Sequence, residues 1–525
     1  MYYQRSNRRR KSRRVNEAVF PAPVRGLLRS GSIVGAPADA AEVLNNFWPT
    51  AEGAELRGGS SKIATAGGAV VSLITYTSGA QELLFAATAS AIYNVTSPAD
   101  VDVAPTADVT SLTSGDWSQV QFATPGGQFV VIVNGADDMQ QYDGSAWTQI
   151  NAASTPAITG VATADLTFVW SHKRRLWFVE DGTLSAWYLP VNSIAGAATE
   201  FPLDGVFKLG GKLLFGGTWS QDSGDGLDDY AIFVTDQGEI AAYQGTDPSS
   251  ASTWALIGVY KIGRPLNKNA WFRAGGDFVI LTEDGIVPVT EAVSKDRAAL
   301  QVAAITAPIE DLWQDIIVAR DVAFQFSASL WATKTRLLIG APDPAGGTIV
   351  LAANTRTGAW STVTGWDVQC STIWQDRFIF GNTAGEVVRG DVNGTDQGAS
   401  FEGTYVPKFQ EFGGGAEKVA SHARVIFQSE ESSSPSLGCF ADYQIGQFPV
   451  SQAPTSTGGD VWGTGVWGTS VWGASGTLNS SLQWQGVAAQ GFALAPSLIV
   501  QSNQIAPSTF RLVATVLRYE TGRAI

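Results

Sequence analysis

The sequence predicts an all-β chain built on an irregular β-propeller of six to seven blades. One observation is a hairpin pattern that recurs seven times: an apolar strand, a turn of Gly, Asp or Asn, and a second strand that often carries an aromatic. The copies begin at Leu83, Phe129, Arg175, Ala231, Phe278, Arg336 and Arg377. Their central residues, Phe85, Val131, Phe178, Phe233, Ile280, Ile339 and Phe380, succeed one another every 41 to 59 residues, close to the period of four-stranded propeller blades. A second observation is composition: 57 Gly, 18 Trp and 25 Phe with only 16% charged residues suit a turn-rich β protein with large apolar fillers. The third is the scarcity of helical pattern, which surfaces in one stretch alone.

Residues 1–58 read as an extended basic leader. Its first 14 residues hold seven cations and no acid, among them Arg8, Arg9, Arg10, Arg13 and Arg14. Pro21, Pro23, Pro37 and Pro49 punctuate the rest. Like-charge blocks stay mobile until bound, so these arginines are candidate partner-binding residues, a tether for an acidic neighbour. With −14 overall and +7 in the arm, the remaining chain carries −21.

Residues 59–400 read as the propeller. In Ala231 to Gln244 the apolar Ile232, Val234 and Ile240 flank Asp236-Gln237-Gly238, residues that accept the positive φ of a tight hairpin. One strand pair has two faces to cover, so neighbouring blades must stack. The longest interval holds a helical insertion near 296–320. There Thr306 is placed to cap a helix over 307–319, Pro308 fits its first turn, and Ile309, Leu312 and Ile316 share one face.

Residues 401–525 read as a small C-terminal β domain with a Trp-Gly repeat, in which Trp462, Trp467 and Trp472 recur every five residues. Five matches neither the helix nor the strand period, so these rings are expected to plug clefts between domains or subunits.

Catalytic and metal chemistry find little support. The chain has two His and two Cys, with no zinc spacing, nucleophile elbow or phosphate-binding loop. His172, in Ser171-His172-Lys173-Arg174, reads as a surface residue. The loop Asp222 to Asp229 is Gly-rich and acidic but lacks the ligand spacing of a calcium loop. Asp143-Gly144-Ser145-Ala146-Trp147 is one degenerate copy of a turn found in propeller glycosidases. No metal, cofactor or enzymatic activity is expected. No apolar run is long enough to cross a bilayer, and the basic N-terminus lacks the apolar stretch of a signal peptide, so synthesis in the cytoplasm is expected.

The segment Asn46-Phe47-Trp48-Pro49-Thr50, followed by Gly53 and Arg57-Gly58-Gly59, resembles the opening of tail nozzle proteins of short-tailed bacteriophages, the tail tubular protein B and packaged-DNA-stabilisation type. The resemblance implies a structural virion protein made in the host cytoplasm: a ring, usually of six copies, below the tail adaptor. It also implies contact with a tail fibre or spike, passage of double-stranded DNA and contact with the host envelope. A conduit must not grip phosphates, so an acidic lumen is expected, with Asp222, Asp225, Asp228 and Asp229 as candidate wall residues. The alternative is a propeller that binds or cleaves carbohydrate on the host surface.

Overall fold

The computed structural model describes residues 15–31, 35–220, 229–321, 323–413, 415–429, 433–452, 483–502 and 507–521. They belong to two compact units. One comprises Gly59–Gly358 and Thr362–Val392; the other comprises the chain up to Gly58, Ala359–Ser361 and everything from Asn393.

The first unit is a seven-bladed propeller. Blade 1 is Ser72–Ser78, Gln81–Ala87, Ala91–Asn94 and Ala107–Thr110; blade 2 is Ser118–Thr124, Gly127–Val133, Met139–Tyr142 and Trp147–Ile150. Blade 3 is Leu166–His172, Arg175–Glu180, Ser185–Tyr188 and Thr199–Pro202; blade 4 is Leu213–Trp219, Tyr230–Thr235, Glu239–Gly245 and Trp254–Lys261. Blade 5 has three strands, Trp271–Ala274, Asp277–Thr282 and Gly285–Pro288, and blade 6 is built on Ser327–Trp331, Arg336–Pro342 and Thr348–Asn354. Blade 7 joins Cys370–Trp374, Arg377–Gly381 and Glu386–Gly390 to Ser60–Thr65, which pairs antiparallel with Glu386–Gly390. The start of the unit thus completes the blade formed by its end, and the ring is closed by hydrogen bonds rather than by a covalent link.

Each of the seven repeat centres lies on the second strand of a blade, and none is more than 2% exposed. Apolar clusters fill the seams between blades. Leu73, Leu84, Ile379 and Val387 pack blade 7 on blade 1, and Ile74, Phe85, Val130 and Ile132 pack blade 1 on blade 2. Val131, Val133, Val169 and Phe178 fill the next seam. Blades 3 and 4 share a ladder of rings, with Trp170 on Trp177 and Trp177 on Trp254 each stacked at 5.8 Å between centroids. Such an approach leaves no room for side chains at Gly216, where a Cβ would stand 2.4 Å from the Trp170 ring.

After blade 5 come the helices Val289–Ser294, Arg297–Ala303 and Glu310–Ala319, with a 3-10 turn at Ala307–Ile309. The insertion is therefore longer than the sequence pattern indicates and starts directly at the end of a strand. Thr306 does not cap a helix through its side chain; its hydroxyl accepts from the Ile286 amide at 3.2 Å. The buried face is Ile309, Trp313 and Ile316, while Leu312 is only half-buried. Trp313 takes the inner place because its ring N–H reaches the Thr282 carbonyl of blade 5 at 3.1 Å, satisfying a donor that burial would otherwise strand.

The second unit is a two-layer β structure. In one layer Phe47–Pro49, Ala54–Leu56, Arg511–Thr521, Lys418–Gln428 and Gln485–Gly491 lie in that order, with Val15–Pro21 also paired to Arg511–Thr521. The other layer includes Ala41–Asn45, Phe401–Pro407, Leu494–Ser502 and Ser436–Ala441. Phe20, Leu44, Phe47, Tyr405, Phe427, Leu498, Phe510 and Leu517 form the core between them. This corrects the reading of residues 1–58 as a leader apart from the C-terminal domain. From Val15 onward its strands Val15–Pro21 and Ala41–Asn45 find their partners about 360 to 500 positions away.

Candidate functional site

In a propeller the first strand of each blade faces the axis with one edge unpaired, and its amides need partners. Here side chains supply them. Gln119 of blade 2 accepts from the Thr75 amide at 3.0 Å and donates to the Leu73 carbonyl at 2.8 Å. Two residues on, Gln121 treats the amide and carbonyl of Thr77 in the same way. The Val169 amide of blade 3 donates to Ser118 of blade 2 at 3.2 Å, and the Thr218 hydroxyl of blade 4 donates to the Ser171 carbonyl at 3.0 Å.

At the start of these inner strands lies a pocket of about 280 Å³, lined by Ser72, Trp117, Gln119, Asn269, Trp271 and Ser371 among others. Beside its Asn269 lies Lys268, 9% exposed. Its ammonium donates to the Asp116 carbonyl at 2.7 Å and the Thr167 carbonyl at 3.2 Å, and pairs with Asp116 Oδ2 at 3.2 Å. Burial pulls the Lys268 pKa below the ordinary lysine value, while Asp116 opposes that pull. With every donor directed at oxygen, this lysine ties blade 5 to blades 2 and 3.

At the opposite ends of the inner strands a larger cleft of about 920 Å³ opens over blades 2 to 5. Its wall includes His172, Lys173, Arg174, Thr218, Asp229 and Arg273. Leu166, Phe168, Trp170 and His172 alternate along one strand and all are buried. His172 is 2% exposed, so the strand's parity overrides the basic neighbours that suggested a surface position. Burial and the charge on Lys173 lower its pKa from 6.5 to about 3, against a smaller opposing effect of Asp229. The ring is therefore neutral at physiological pH.

The tautomer of that ring follows from its partner. Thr218 gives its single proton to the Ser171 carbonyl, which can only accept. Its oxygen is therefore the acceptor for His172 Nδ1, 3.0 Å away. The proton sits on Nδ1, and Nε2 keeps a lone pair with no hydrogen-bond partner among the described residues.

Lys173 and Arg174 turn the chain between two strands with φ of 46° and 59°, the left-handed pair of a two-residue hairpin. This turn places both cations at the cleft. Lys173 pairs with Asp229 at 3.8 Å. Arg174 and Arg273 are exposed and have no carboxylate partner among the described residues. Among the described residues of its wall, three cations face the single carboxylate of Asp229.

The residues singled out in sequence fall differently. Arg8, Arg9, Arg10, Arg13 and Arg14, then Trp462, Trp467 and Trp472, and also Asp222, Asp225 and Asp228, lie outside the described residues. Asp229 is described and lies in the wall of the cleft. It is 4% exposed and paired with Lys173. Asp143 also proves structural. Its carboxylate accepts from the amides of Ala146 and Ser145 and the Ser145 hydroxyl, which hold its pKa below the ordinary range and shape the turn between two strands of blade 2.

In the second unit the segment Asn46 to Gly58 builds a buried polar node. Arg57 is 0% exposed. Its Nε donates to Asn46 Oδ1 at 2.8 Å, Nη1 donates to the Gly58 carbonyl at 2.9 Å and to Asp396 Oδ1 at 3.1 Å, and Nη2 donates to Asp396 Oδ2 at 2.6 Å. The guanidinium lies 3.9 Å from the centre of the Phe401 ring. Asn46, at φ 62°, donates in turn to the Glu402 carbonyl at 2.7 Å.

No protein family and no curated protein sequence matches the chain. Among solved structures it is similar to the computationally designed protein Ika8 at TM-score 0.35 and 10% identity, over 63% of this chain and 99% of that one. It is also similar to YCF48 bound to D1 peptide at TM-score 0.35 and 9% identity, over 64% and 95%. A third similarity, to U3-55K, has TM-score 0.34 and 8% identity over 63% and 98%. The propeller assignment rests on the strand pairing described above.

Proposed function

We propose that this chain is a structural virion protein, the subunit of a ring that forms the distal nozzle of a short phage tail. The supporting observation is the Arg57 node. The motif from Asn46 to Gly59 that resembles nozzle proteins is not loop decoration but the buried joint of the second unit, so the resemblance falls on architecture. In this reading six copies assemble below an adaptor and contact a fibre or spike. The ring passes the genome at ejection and meets the host envelope with its distal loops. The net −21 beyond residue 14 repels DNA weakly over roughly one Debye length, about 8 to 10 Å at physiological salt. The basic arm precedes Val15–Pro21, a strand paired to Arg511–Thr521, and offers arginine forks to carboxylates of a neighbour.

Electron microscopy of native particles, with antibody labelling of this chain, tests the proposal. A labelled ring at the distal end of a tail is the expected result. A purified chain that stays monomeric, is absent from particles and cleaves host glycans would overturn it in favour of the carbohydrate-active reading. Removing residues 1–14 is expected to weaken attachment to the tail without lowering the melting temperature. Trp462, Trp467 and Trp472 changed together to Ser are expected to weaken assembly and leave the propeller folded.

A further inference from the structure

The outer strand of blade 4, Trp254–Lys261, ends its sheet unlike the outer strands of blades 1, 2, 3, 5 and 7. It pairs with Glu239–Gly245 on one side and, among the described residues, with no strand on the other. Such an edge offers backbone N–H and C=O groups to any extended chain, and proteins blunt it with short strands, charges or proline. The outer strands of blades 1, 2 and 3 are each four residues long. Ala107–Thr110 exposes Asp108, Trp147–Ile150 exposes Thr148 and Gln149, and Thr199–Pro202 exposes Glu200 and ends in proline. On blade 7 the outer strand Ser60–Thr65 carries Lys62, paired with Asp102 and Glu386, and the last strand of blade 5 ends in Pro288.

Trp254–Lys261 has eight residues, no proline, and a single charge, Lys261, at its last position. Its middle is apolar and open: Leu256 is 43% and Ile257 48% exposed. Nowhere else among the described residues do two large apolar side chains this exposed adjoin in sequence. The register shifts once, with Tyr243 opposite Leu256 and Ala242 opposite Gly258, so Ile257 is the extra residue of a bulge. A bulge also blunts an edge, yet the side chain exposed at this one is apolar. Trp, Leu, Ile, Val and Tyr fit a pleated, half-buried surface, so strand propensity, exposure and missing guards coincide on one blade.

We propose that this edge is a self-association surface, where Trp254–Lys261 of one copy adds antiparallel to the same strand of a second copy. Antiparallel pairing of a strand with itself is isologous. It sets the two Lys261 at opposite ends of the ladder, so the only charges of the strand never face each other, while apolar residues meet along the middle. The same pairing of Ala107–Thr110 would set Asp108 beside its own copy, where like charges repel. With one terminal charge, Trp254–Lys261 carries no charge pattern for a foreign sequence to match; its backbone and apolar side chains are matched in full by a copy of itself. A pair eight residues long spans about 27 Å at roughly 3.4 Å per residue. That is a small interface, so the association is reversible. The contact has a two-fold axis and is additional to the head-to-tail contacts of a ring; it rests on the propeller alone and does not depend on the nozzle reading.

The test is sedimentation velocity of the full chain from low to high micromolar concentration, with hydrogen exchange read at both ends of the range. The mass is expected to rise from that of one chain toward that of two. Amides of Trp254–Lys261 are expected to exchange more slowly at high concentration, while those of Ala107–Thr110 do not change. Leu256→Lys and Ile257→Lys each add a charge at an exposed position of the edge, and each is expected to weaken association by about tenfold or more with the melting temperature unchanged. Val318→Lys, on the helix Glu310–Ala319 at a position 85% exposed, is expected to leave association as it is. A chain that stays monomeric, association that leaves exchange in Trp254–Lys261 unchanged, association insensitive to both edge lysines, or an equal loss with Val318→Lys would each overturn the proposal. So would protection of this strand already in the monomer, which means the chain covers its own edge, or protection only when a different extended polypeptide is added, which means a foreign partner.

Discussion

Arg57 and Asp396 stand 339 residues apart in the chain and meet fork to fork, with Nη1 on Oδ1 at 3.1 Å and Nη2 on Oδ2 at 2.6 Å. Arg57 is fully enclosed, and Asp396 keeps a side-chain exposure of 15%. Taking a guanidinium out of water is costly unless its donors are matched, and here Asn46, Gly58 and Asp396 accept from four of its five N–H groups while Phe401 covers the flat face. The cost therefore appears when one partner is removed.

Arg57→Ala is expected to destabilise the second unit by roughly 3 to 5 kcal/mol, because it leaves Asp396 and Asn46 without their donor. Arg57→Lys should recover only part of that loss, since a point charge cannot supply both arms of the fork. Hydrogen exchange along Arg511–Thr521, the central strand of the unit, is the readout. Exchange in the Ala variant as slow as in the parent chain would show that the node does not hold the unit together.

The closure of the propeller gives a second prediction. Ala64, on the strand supplied by the start of the unit, is 0% exposed and pairs with Val387 across blade 7. Its neighbours in the seam include Leu84 and Ile379. Ala64→Glu forces a carboxylate into that apolar seam, a change expected to cost several kcal/mol or to expel the strand from the blade. Ser61→Glu, on a half-buried position of the same strand, should cost less than about 1 kcal/mol. Limited proteolysis near residue 66 distinguishes the two, and equal resistance of both variants would contradict closure by this strand.

A third prediction concerns the approach of blades 3 and 4. A Cβ on Gly216 would lie 2.4 Å from Trp170, inside a stack that includes Trp177 and Trp254. Gly216→Val is expected to lower stability by roughly 1 to 3 kcal/mol or more through overpacking. Gly205→Ala, where a Cβ meets nothing within 4 Å, should be close to neutral. Thermal unfolding followed by tryptophan fluorescence reports both, and an unperturbed melting temperature for Gly216→Val would mean the seam is looser than described.

The repeat was legible because it is local: strand, turn and strand lie within some 15 residues, and the centres from Phe85 to Phe380 mark one blade each. What closes the ring was not, since Ser60–Thr65 pairs with Glu386–Gly390 and nothing near residue 60 carries the hairpin pattern. The same holds for Val15–Pro21, whose alternation is short and broken by proline, so that it reads as leader until Arg511–Thr521 is beside it. At the cleft, His172 had a usable signal in the parity of Leu166, Phe168, Trp170 and His172. The basic turn that follows it masked that signal. Arg273 lies in an unremarkable strand and enters the cleft through the ring geometry alone. Helical spacing permits either Leu312 or Trp313 on the buried face, and the choice is made by the Thr282 carbonyl.

The buried imidazole makes the propeller's stability depend on pH in a direction that can be stated in advance. In the unfolded chain His172 takes up its proton near pH 6.5, whereas in the folded chain it does so only near pH 3. Between those values the unfolded state binds a proton that the folded state refuses, so stability is full above pH 6.5 and is lost as pH falls toward about 3. The loss from this group is expected to reach roughly 3 kcal/mol between pH 7 and pH 4. Carboxylates held low by hydrogen bonds, such as Asp143, lose stability in the same direction but at lower pH, and they are common to the variant and the parent. His172→Gln keeps a donor for Thr218 and cannot be protonated in this range. Its urea midpoint should therefore fall less steeply than that of the parent as pH is lowered from 7 to 4, even if it starts lower at neutral pH. Parallel curves for the two chains would mean that the ring titrates as freely in the folded propeller as in the unfolded chain.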